Sequence, residues 1–276
     1  MNFDKIIIMS LEEDMPGGDI TTISTVPENA VAEGAFKAKA DGVICGLDIA
    51  KRSFELCGGG VELTLMVAEG DYVKKGDIIA TVKGNARTIL MAERTALNLM
   101  QRASGIATAA RTACDAVKGT TARITDTRKT MPGLRTLDKY AVRVGGAVNH
   151  RFGLSDGVLI KDNHIAAAGS ITKAVASAKA YAPHTLKIEV ETENMEQVAE
   201  AVAAGADIIM LDNMSCAQMK EAVDFIAGRA VTEASGNMGE RDLKEVAMSG
   251  VDLISIGALT HSVKAMDISL KFSINL

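Results

Sequence analysis

The chain of 276 residues carries a formal net charge of −5, and 47% of its residues are apolar, which is typical of a globular protein and argues against disorder. The negative charge argues against nucleic acid or an anionic membrane surface as the main partner, and no apolar run approaches the roughly 20 residues that span a bilayer. Because the opening apolar run is too short for a secretory signal and the four cysteines lack metal-ligand spacing, we expect a reduced, cytoplasmic protein.

The first part of the chain predicts a short helix, then strands separated by turns, and then one long helix. The strands fall between residues 31 and 83, and residues 69–84 resemble a hairpin of the kind found in biotinyl and lipoyl carrier domains. The Met-Lys-Met signature of those carriers is missing, so a carrier role is rejected. Residues 86–118 have apolar side chains at helical spacing, with Gly105 as a candidate break in the helix.

From about residue 122 the pattern changes to short apolar runs that end in polar residues and alternate with helical stretches. Six such runs are present, at residues 122–127, 157–164, 186–192, 207–213, 230–237 and 252–259. The pattern predicts a (β/α) barrel, whose active site lies at the carboxyl ends of the strands. Six units instead of eight indicate an incomplete barrel, and an open doubly wound sheet ranks second. The last residues, from 264, predict a strand that returns to the N-terminal domain.

Basic residues are concentrated in one part of this acidic chain. Between residues 128 and 161 there are seven Lys or Arg residues and two acids. Five basic residues stand at predicted strand ends or glycine-rich turns, where side chains converge on a ligand with more than one carboxylate or phosphate: Arg128, Lys129, His150, Arg151 and Lys161. A structural network of ion pairs is the alternative. Arg135, Lys139 and Arg143 are interpreted as a solvated basic face.

Carboxylates and glycines follow the later predicted strands. Glu191 and Asp212 end consecutive strands, where two carboxylates favour Mg²⁺; neutralisation of Lys161 or Arg128 is the alternative. Backbone N–H groups that bind phosphate are expected after the last two strands, at Ser235, Gly236, Asn237, Gly257 and Ala258. Arg94 lies on the predicted long helix and, from the sequence alone, is a surface residue.

Seven segments stand in a recognisable order along the chain: EDMPGGDITT, ERTALNLMQRASGIAT, the long block from TRKT to KDNH, IEVET, IIMLDNM, EASGN and ISIGALTHS. Together they resemble the quinolinate phosphoribosyltransferase family, also called nicotinate-nucleotide pyrophosphorylase (carboxylating). The resemblance runs from about residue 10 to the end. One position departs from the pattern, since Pro16 stands where similar sequences have Gly; this affects a local turn and none of the charged residues.

The resemblance implies an α/β fold like that of the type II phosphoribosyltransferases. An N-terminal α/β sandwich domain would cover residues 1–107, with a C-terminal return over residues 265–276, and an incomplete (β/α) barrel would cover residues 108–264. The implied enzyme is a homodimer with shared active sites, or a hexamer. With Mg²⁺, it transfers the phosphoribosyl group of phosphoribosyl pyrophosphate to quinolinate, giving nicotinate mononucleotide, pyrophosphate and CO₂ in de novo NAD biosynthesis.

The resemblance also implies roles for residues that match the family motifs. Lys129, Lys161, Glu191 and Asp212 would be catalytic, with Glu191 and Asp212 as the metal residues, and Arg94 would reach in from the partner subunit. The implied substrate-binding residues are Arg94, Thr127, Arg128, Lys129, His150, Arg151, Lys161, Glu191, Asp212, Ser235, Gly236, Asn237, Gly257 and Ala258.

Three other functions are alternatives. A related molybdenum-transport-associated family would be favoured only by a degraded basic set, and that set is intact here. A Schiff-base aldolase barrel would use Lys161 as its nucleophile. A non-catalytic barrel would bind phosphorylated ligands and release neither pyrophosphate nor CO₂.

Overall fold

The computed structural model describes residues 2–275, with side chains as far as residue 272. None of the helices within this range combines the length and the apolar character that crossing a bilayer requires. In chain order the elements are α1 Asp4–Asp14, α2 Ile20–Thr25, β1 Val31–Ala38, β2 Gly42–Val43, α3 Leu47–Cys57, β3 Val61–Leu65, β4 Tyr72–Val73, β5 Ile78–Asn85, α4 Ala86–Ala116, β6 Arg123–Thr125, α5 Arg135–Val144, β7 Val158–Ile160, α6 Asp162–Ala168, α7 Ile171–Tyr181, β8 Ile188–Thr192, α8 Met195–Ala204, β9 Ile208–Asp212, α9 Cys216–Ile226, β10 Val231–Ser235, α10 Leu243–Met248, β11 Leu253–Ser255, α11 Ala258–His261 and β12 Ile268–Asn275.

The described chain forms two compact units. The first contains the residues up to 111, residues 131–146 and the residues from 263 onward, and the second contains residues 112–130 and 147–262. The domain boundaries expected after residues 107 and 264 stay a prediction. The expected ranges also include residues 1 and 276, which lie outside the described residues.

A four-stranded antiparallel sheet, in the order β12-β1-β5-β3, lies in the first unit. Side chains alternate across β1, so that Ala32, Phe36 and Ala38 are buried while their neighbours are not. Phe36 packs edge-on against Phe54 of α3, with ring centroids 6.3 Å apart. Helix on sheet is the arrangement that the predicted α/β sandwich requires.

Helix α5 belongs to the first unit and is held there by a buried ion pair. Asp138 is fully buried and accepts two hydrogen bonds from Arg102 of α4, at 2.8 and 2.7 Å. The same buried stretch includes Lys139, which is only 1% exposed. Its predicted place on a solvated face is therefore wrong, because α5 turns three consecutive side chains inward. Arg143 is exposed, as expected, and Arg135 is half-buried.

Two local predictions for this unit are also wrong. Strands β4 and β5 do not form a hairpin: β4 pairs with β2, while β5 lies between β1 and β3 in the larger sheet. The turn between them therefore joins strands of two different sheets. Helix α4 runs through Gly105 without a break. Glycine is required at this position because a Cβ atom would lie 2.3 Å from the backbone oxygen of Lys264.

A six-stranded parallel sheet, in the order β6-β11-β10-β9-β8-β7, lies in the second unit. Consecutive strands β6 and β7 stand at opposite edges, which is the order of an opened barrel and differs from a doubly wound sheet. A parallel bridge between Thr125 and Val148 extends the β6 edge. The predicted incomplete barrel of six βα units is thus confirmed.

Capping residues start the helices that follow these strands. Asn194 accepts a hydrogen bond from the Gln197 N–H and begins α8, and Ser215 forms a capping box with Gln218 at the start of α9. Gly205, in the left-handed conformation at φ 72°, ends α8. The carboxyl ends of the strands lie at the same edge of the sheet because the strands are parallel.

Candidate active site

A cavity of about 840 Å³ lies at the carboxyl ends of the parallel strands, and all of its lining residues belong to the second unit. The structure brings together here every predicted substrate-binding residue except Arg94: Thr127, Arg128, Lys129, His150, Arg151, Lys161, Glu191, Asp212, Ser235, Gly236, Asn237, Gly257 and Ala258. Arg94 is an exposed residue of α4, in the first unit. The individual roles of these residues stay predictions.

The two arginines of the cavity are close enough to affect one another. Burial, followed by the nearby Arg128 charge, lowers the pKa of Arg151 below its usual value. Arg151 donates from Nη1 to the Gly157 oxygen at 2.8 Å, whereas its buried Nε has no hydrogen-bond partner. A buried, unpaired guanidinium donor next to a second cation favours an anionic ligand, because an anion would satisfy the donor and relieve the repulsion.

The acids at the cavity are held by neighbouring groups. Lys161 Nζ lies 2.5 Å from Glu191 Oε2, so Glu191 neutralises Lys161, as the alternative interpretation of the sequence expected. Asp212 Oδ2 accepts a hydrogen bond from Asn213 Nδ2 at 2.6 Å. Both carboxylates lie on adjacent strands and line the same cavity. They offer the hard oxygen atoms that a divalent cation such as Mg²⁺ prefers.

The ends of the last two strands are tightly packed around glycines. Gly236 has φ 96°, and a Cβ atom there would lie 2.2 Å from Asn213 Oδ1. A Cβ atom at Gly257 would lie 3.0 Å from Lys129 Cδ. Thr260 of α11 donates from its hydroxyl to the Lys129 oxygen at 2.9 Å. The chain segment after β11 is thereby fixed against the segment after β6.

Next to His150 lie two buried acids, Glu189 and Glu233, that the sequence-based assignment of site residues did not include. His150 Nε2 lies 3.2 Å from Glu189 Oε2 and 3.6 Å from Glu233 Oε1. The two acids are 4% and 1% exposed, and each has a buried Oε1 without a hydrogen bond. Burial, followed by the Glu189 charge, raises the pKa of Glu233 to about 7. Charged residues inside otherwise apolar parallel strands are the sequence signal that could have revealed them.

The loop that carries His150 is fixed by Asp126, which was also missing from the predicted site. Asp126 is fully buried at the end of β6 and accepts hydrogen bonds from the His150 N–H and from Asn149 Nδ2, both at 2.8 Å. A buried carboxylate that accepts two N–H groups holds the loop firmly. Its sequence signal is an acid at the end of the first predicted barrel strand.

Cations and carboxylates fixed at the carboxyl ends of an incomplete parallel barrel define an enzyme of the α/β-barrel class for small, multiply anionic substrates. Comparison with protein families refines this class. The profile of the quinolinate phosphoribosyl transferase C-terminal domain matches residues 106–271, and that of the N-terminal domain matches residues 19–104. The chain belongs to the quinolinate phosphoribosyltransferase family, which confirms the prediction made from the motifs.

Individual relatives are similar to this chain over nearly its whole length. A Bacillus subtilis protein named probable nicotinate-nucleotide pyrophosphorylase [carboxylating] is 46% identical over 275 residues, covering 100% of this chain and 95% of the relative. A Mycobacterium leprae protein named nicotinate-nucleotide pyrophosphorylase [carboxylating] is 45% identical, covering 95% of this chain and 94% of the relative. The crystal structure of nicotinate-nucleotide pyrophosphorylase from Ehrlichia chaffeensis has a TM-score of 0.94 at 40% identity, covering 99% of both chains. These comparisons also confirm the predicted fold class.

Proposed function

We propose that this chain transfers the phosphoribosyl group of phosphoribosyl pyrophosphate to quinolinate, with loss of CO₂, to give nicotinate mononucleotide and pyrophosphate. The observation that carries the proposal is the cationic cavity at the barrel's carboxyl edge, in a chain of this family. Quinolinate has two carboxylates, and two guanidinium groups, those of Arg128 and Arg151, can each bind one carboxylate through a fork of N–H donors.

The reaction follows from the chemistry of the two substrates. The quinolinate ring nitrogen attacks the anomeric carbon of the ribose while the bond to pyrophosphate breaks, through a transition state with oxocarbenium character. Glu191 or Asp212, next to the ribose, would stabilise the developing positive charge. Lys129 and Lys161 would stabilise the negative charge on the departing pyrophosphate. Once the pyridine nitrogen carries a positive charge, the adjacent carboxylate leaves as CO₂. The electron pair of the broken bond stays on the ring carbon next to the positive nitrogen, and that carbon then takes up a proton, so no separate electron-sink cofactor is needed.

Magnesium is part of the proposal. Glu191 and Asp212 would hold the ion with their carboxylate oxygens, and phosphate oxygens and water would complete the set of oxygen ligands. When bound, Mg²⁺ would offset the negative charge of the pyrophosphate group. Glu191 already contacts Lys161, so the same carboxylate can pair with the lysine or bind Mg²⁺. The ribose phosphate would bind to the segments after the last two strands, at Ser235, Gly236, Asn237, Gly257 and Ala258.

An assay of the purified chain with quinolinate, phosphoribosyl pyrophosphate and Mg²⁺ tests this function. We expect nicotinate mononucleotide, and we expect Lys161→Met to abolish its formation while Lys118→Met, at an 83% exposed side chain, does not. Absence of product with the unaltered chain would refute the proposal. A substrate adduct trapped on Lys161 by borohydride would favour the aldolase alternative instead, and binding without release of pyrophosphate or CO₂ would favour the non-catalytic one.

A homodimer with shared active sites is a second part of the proposal, and further assembly into a hexamer stays a prediction. Exposed Arg94 is the residue expected to enter the partner's cavity. Mixing Arg94→Ala chains with Lys161→Ala chains should restore activity through hybrid sites in which both residues are intact. No recovery after confirmed subunit exchange would exclude a shared site.

We also propose the cytoplasm as the location, because all four cysteines are free.

A further inference from the structure

Both ring nitrogens of His150 face protein groups, and together they define where its proton lies. The Arg151 backbone N–H donates to His150 Nδ1 at 2.7 Å, so Nδ1 must carry a lone pair. The proton of the neutral imidazole is then on Nε2, which lies 3.2 Å from Glu189 Oε2. If Nδ1 carried the proton instead, its N–H would point at the Arg151 backbone N–H, and two donors would face each other at 2.7 Å.

We propose that Glu189 is a positioning residue for quinolinate binding. It accepts the Nε2–H of His150, keeps Nδ1 free of a proton, and so maintains the hydrogen bond that the Arg151 backbone N–H donates to Nδ1, which orients this arginine in the cavity. The role rests on the proposed function, because Arg151 is assigned there to a quinolinate carboxylate. It uses the same logic by which a carboxylate behind a histidine fixes the tautomer and the ring orientation in other sites.

Glu189 suits this task better than Glu233, although both are buried beside the imidazole. Glu233 Oε1 is 0.4 Å farther from Nε2, at 3.6 Å against 3.2 Å. The raised pKa of Glu233, about 7, keeps much of this group protonated near neutral pH and makes it the weaker acceptor. A proton retained on Glu233 also leaves less buried charge in this group than two carboxylates would.

A metal ion is the competing explanation for these three side chains. Within the described residues they are the one group of three or more potential ligands, and their ligand atoms all lie within 4.8 Å of one another. A metal on His150 Nε2 would move the ring proton to Nδ1, where the Arg151 N–H already points. The hydrogen bond therefore favours a proton on Nε2 over a metal ion.

Nitrogen NMR of histidine-labelled protein tests the tautomer directly. The chain has four histidines, and His150→Gln assigns the signals of His150. We expect an unprotonated Nδ1 and a protonated Nε2. Glu189→Leu should replace this single tautomer by a mixture, and should raise the KM for quinolinate about 10- to 100-fold with a smaller change in kcat, the range for losing a charge-assisted hydrogen bond. Glu189→Gln, whose amide oxygen can still accept the proton, should restore most of both properties.

Glu233→Leu is the matched control, since it removes a buried acid of equal size from the same group. It should leave the His150 tautomer unchanged. A protonated Nδ1 in the unaltered chain would overturn the proposal without any variant, and so would Glu189→Leu if it kept the tautomer and the KM. Loss of the Nε2 proton on adding Zn²⁺ would identify a metal site instead. The expected tautomer in a chain that makes no nicotinate mononucleotide would refute the proposed function and leave the hydrogen-bond geometry standing.

Discussion

Two ion pairs of the first unit have the same fork geometry and opposite environments, so they provide a controlled test of what burial does to a salt bridge. Arg102 binds fully buried Asp138 at 2.8 and 2.7 Å. Arg52 binds Asp4 with two hydrogen bonds of 2.9 Å, and their side chains are 42% and 33% exposed. Arg102→Met leaves the buried Asp138 carboxylate without its counter-ion. The variant should therefore lower the free energy of unfolding by about 3–5 kcal/mol. Arg52→Met should cost much less, because solvent screens the exposed pair.

Urea unfolding followed by circular dichroism measures both losses, with a second probe to test for a two-state transition. Asp138 also accepts the Met131 N–H at 3.1 Å, so Asp138→Asn keeps an acceptor while removing the charge. The double variant Arg102→Met with Asp138→Asn should therefore regain at least about half of the loss, because no unpaired charge remains. Equal losses for Arg102→Met and Arg52→Met would refute the argument from burial.

Three further predictions concern the barrel unit. The folded-state pKa of Glu233, about 7, lies above its ordinary value of 4.5, so its contribution to stability is complete below pH 4.5 and is lost as the pH rises through 7. Glu233→Gln should remove this loss, which amounts to up to about 3 kcal/mol of unfolding free energy between pH 4.5 and 8, measured by urea unfolding. If the unfolding free energies of the unaltered chain and of Glu233→Gln changed in parallel with pH, the prediction would be contradicted. Arg151→Lys keeps the charge and loses the fork, so calorimetry should show quinolinate binding weakened by about 1–3 kcal/mol; unchanged affinity would exclude a bidentate clamp. Gly236→Ala forces a Cβ atom against Asn213 and should lower the melting temperature more than Gly119→Ala, which has positive φ but no atom within 4 Å; equal shifts would mean that the clash is relieved.

The barrel was predictable because its signal is repeated. Most of the strands are short, largely buried apolar runs that end in polar residues, and several of the following helices begin at a capping residue such as Asn194 or Ser215. Strand ends gather at one edge in any parallel sheet, so the polar residues there could be grouped before their distances were known.

The errors arose where long-range pairing or packing decided the outcome. Nothing local in residues 69–84 shows that β4 and β5 pair with different partners. Lys139 looked solvated because its charge was considered without the neighbours that bury it. The burial of Glu189 and Glu233 was not predicted, because the two-residue alternation of a strand assigns a residue to one face of the sheet without showing how deeply it is buried. Arg94 became a candidate only through the family resemblance.

The pairing of β12 with β1 has a consequence for the order of events during synthesis. Residues 31–38 leave the ribosome long before their partners, residues 268–275, are made. Until then one edge of β1 offers unpaired backbone groups to other nascent chains, a known hazard of open strands. The fit is close, since a Cβ atom at Gly34 would lie 2.5 Å from the Cβ of Phe272. Synthesis of residues 268–275, and not emergence of residues 31–38, therefore ends the period in which this sheet is exposed to aggregation.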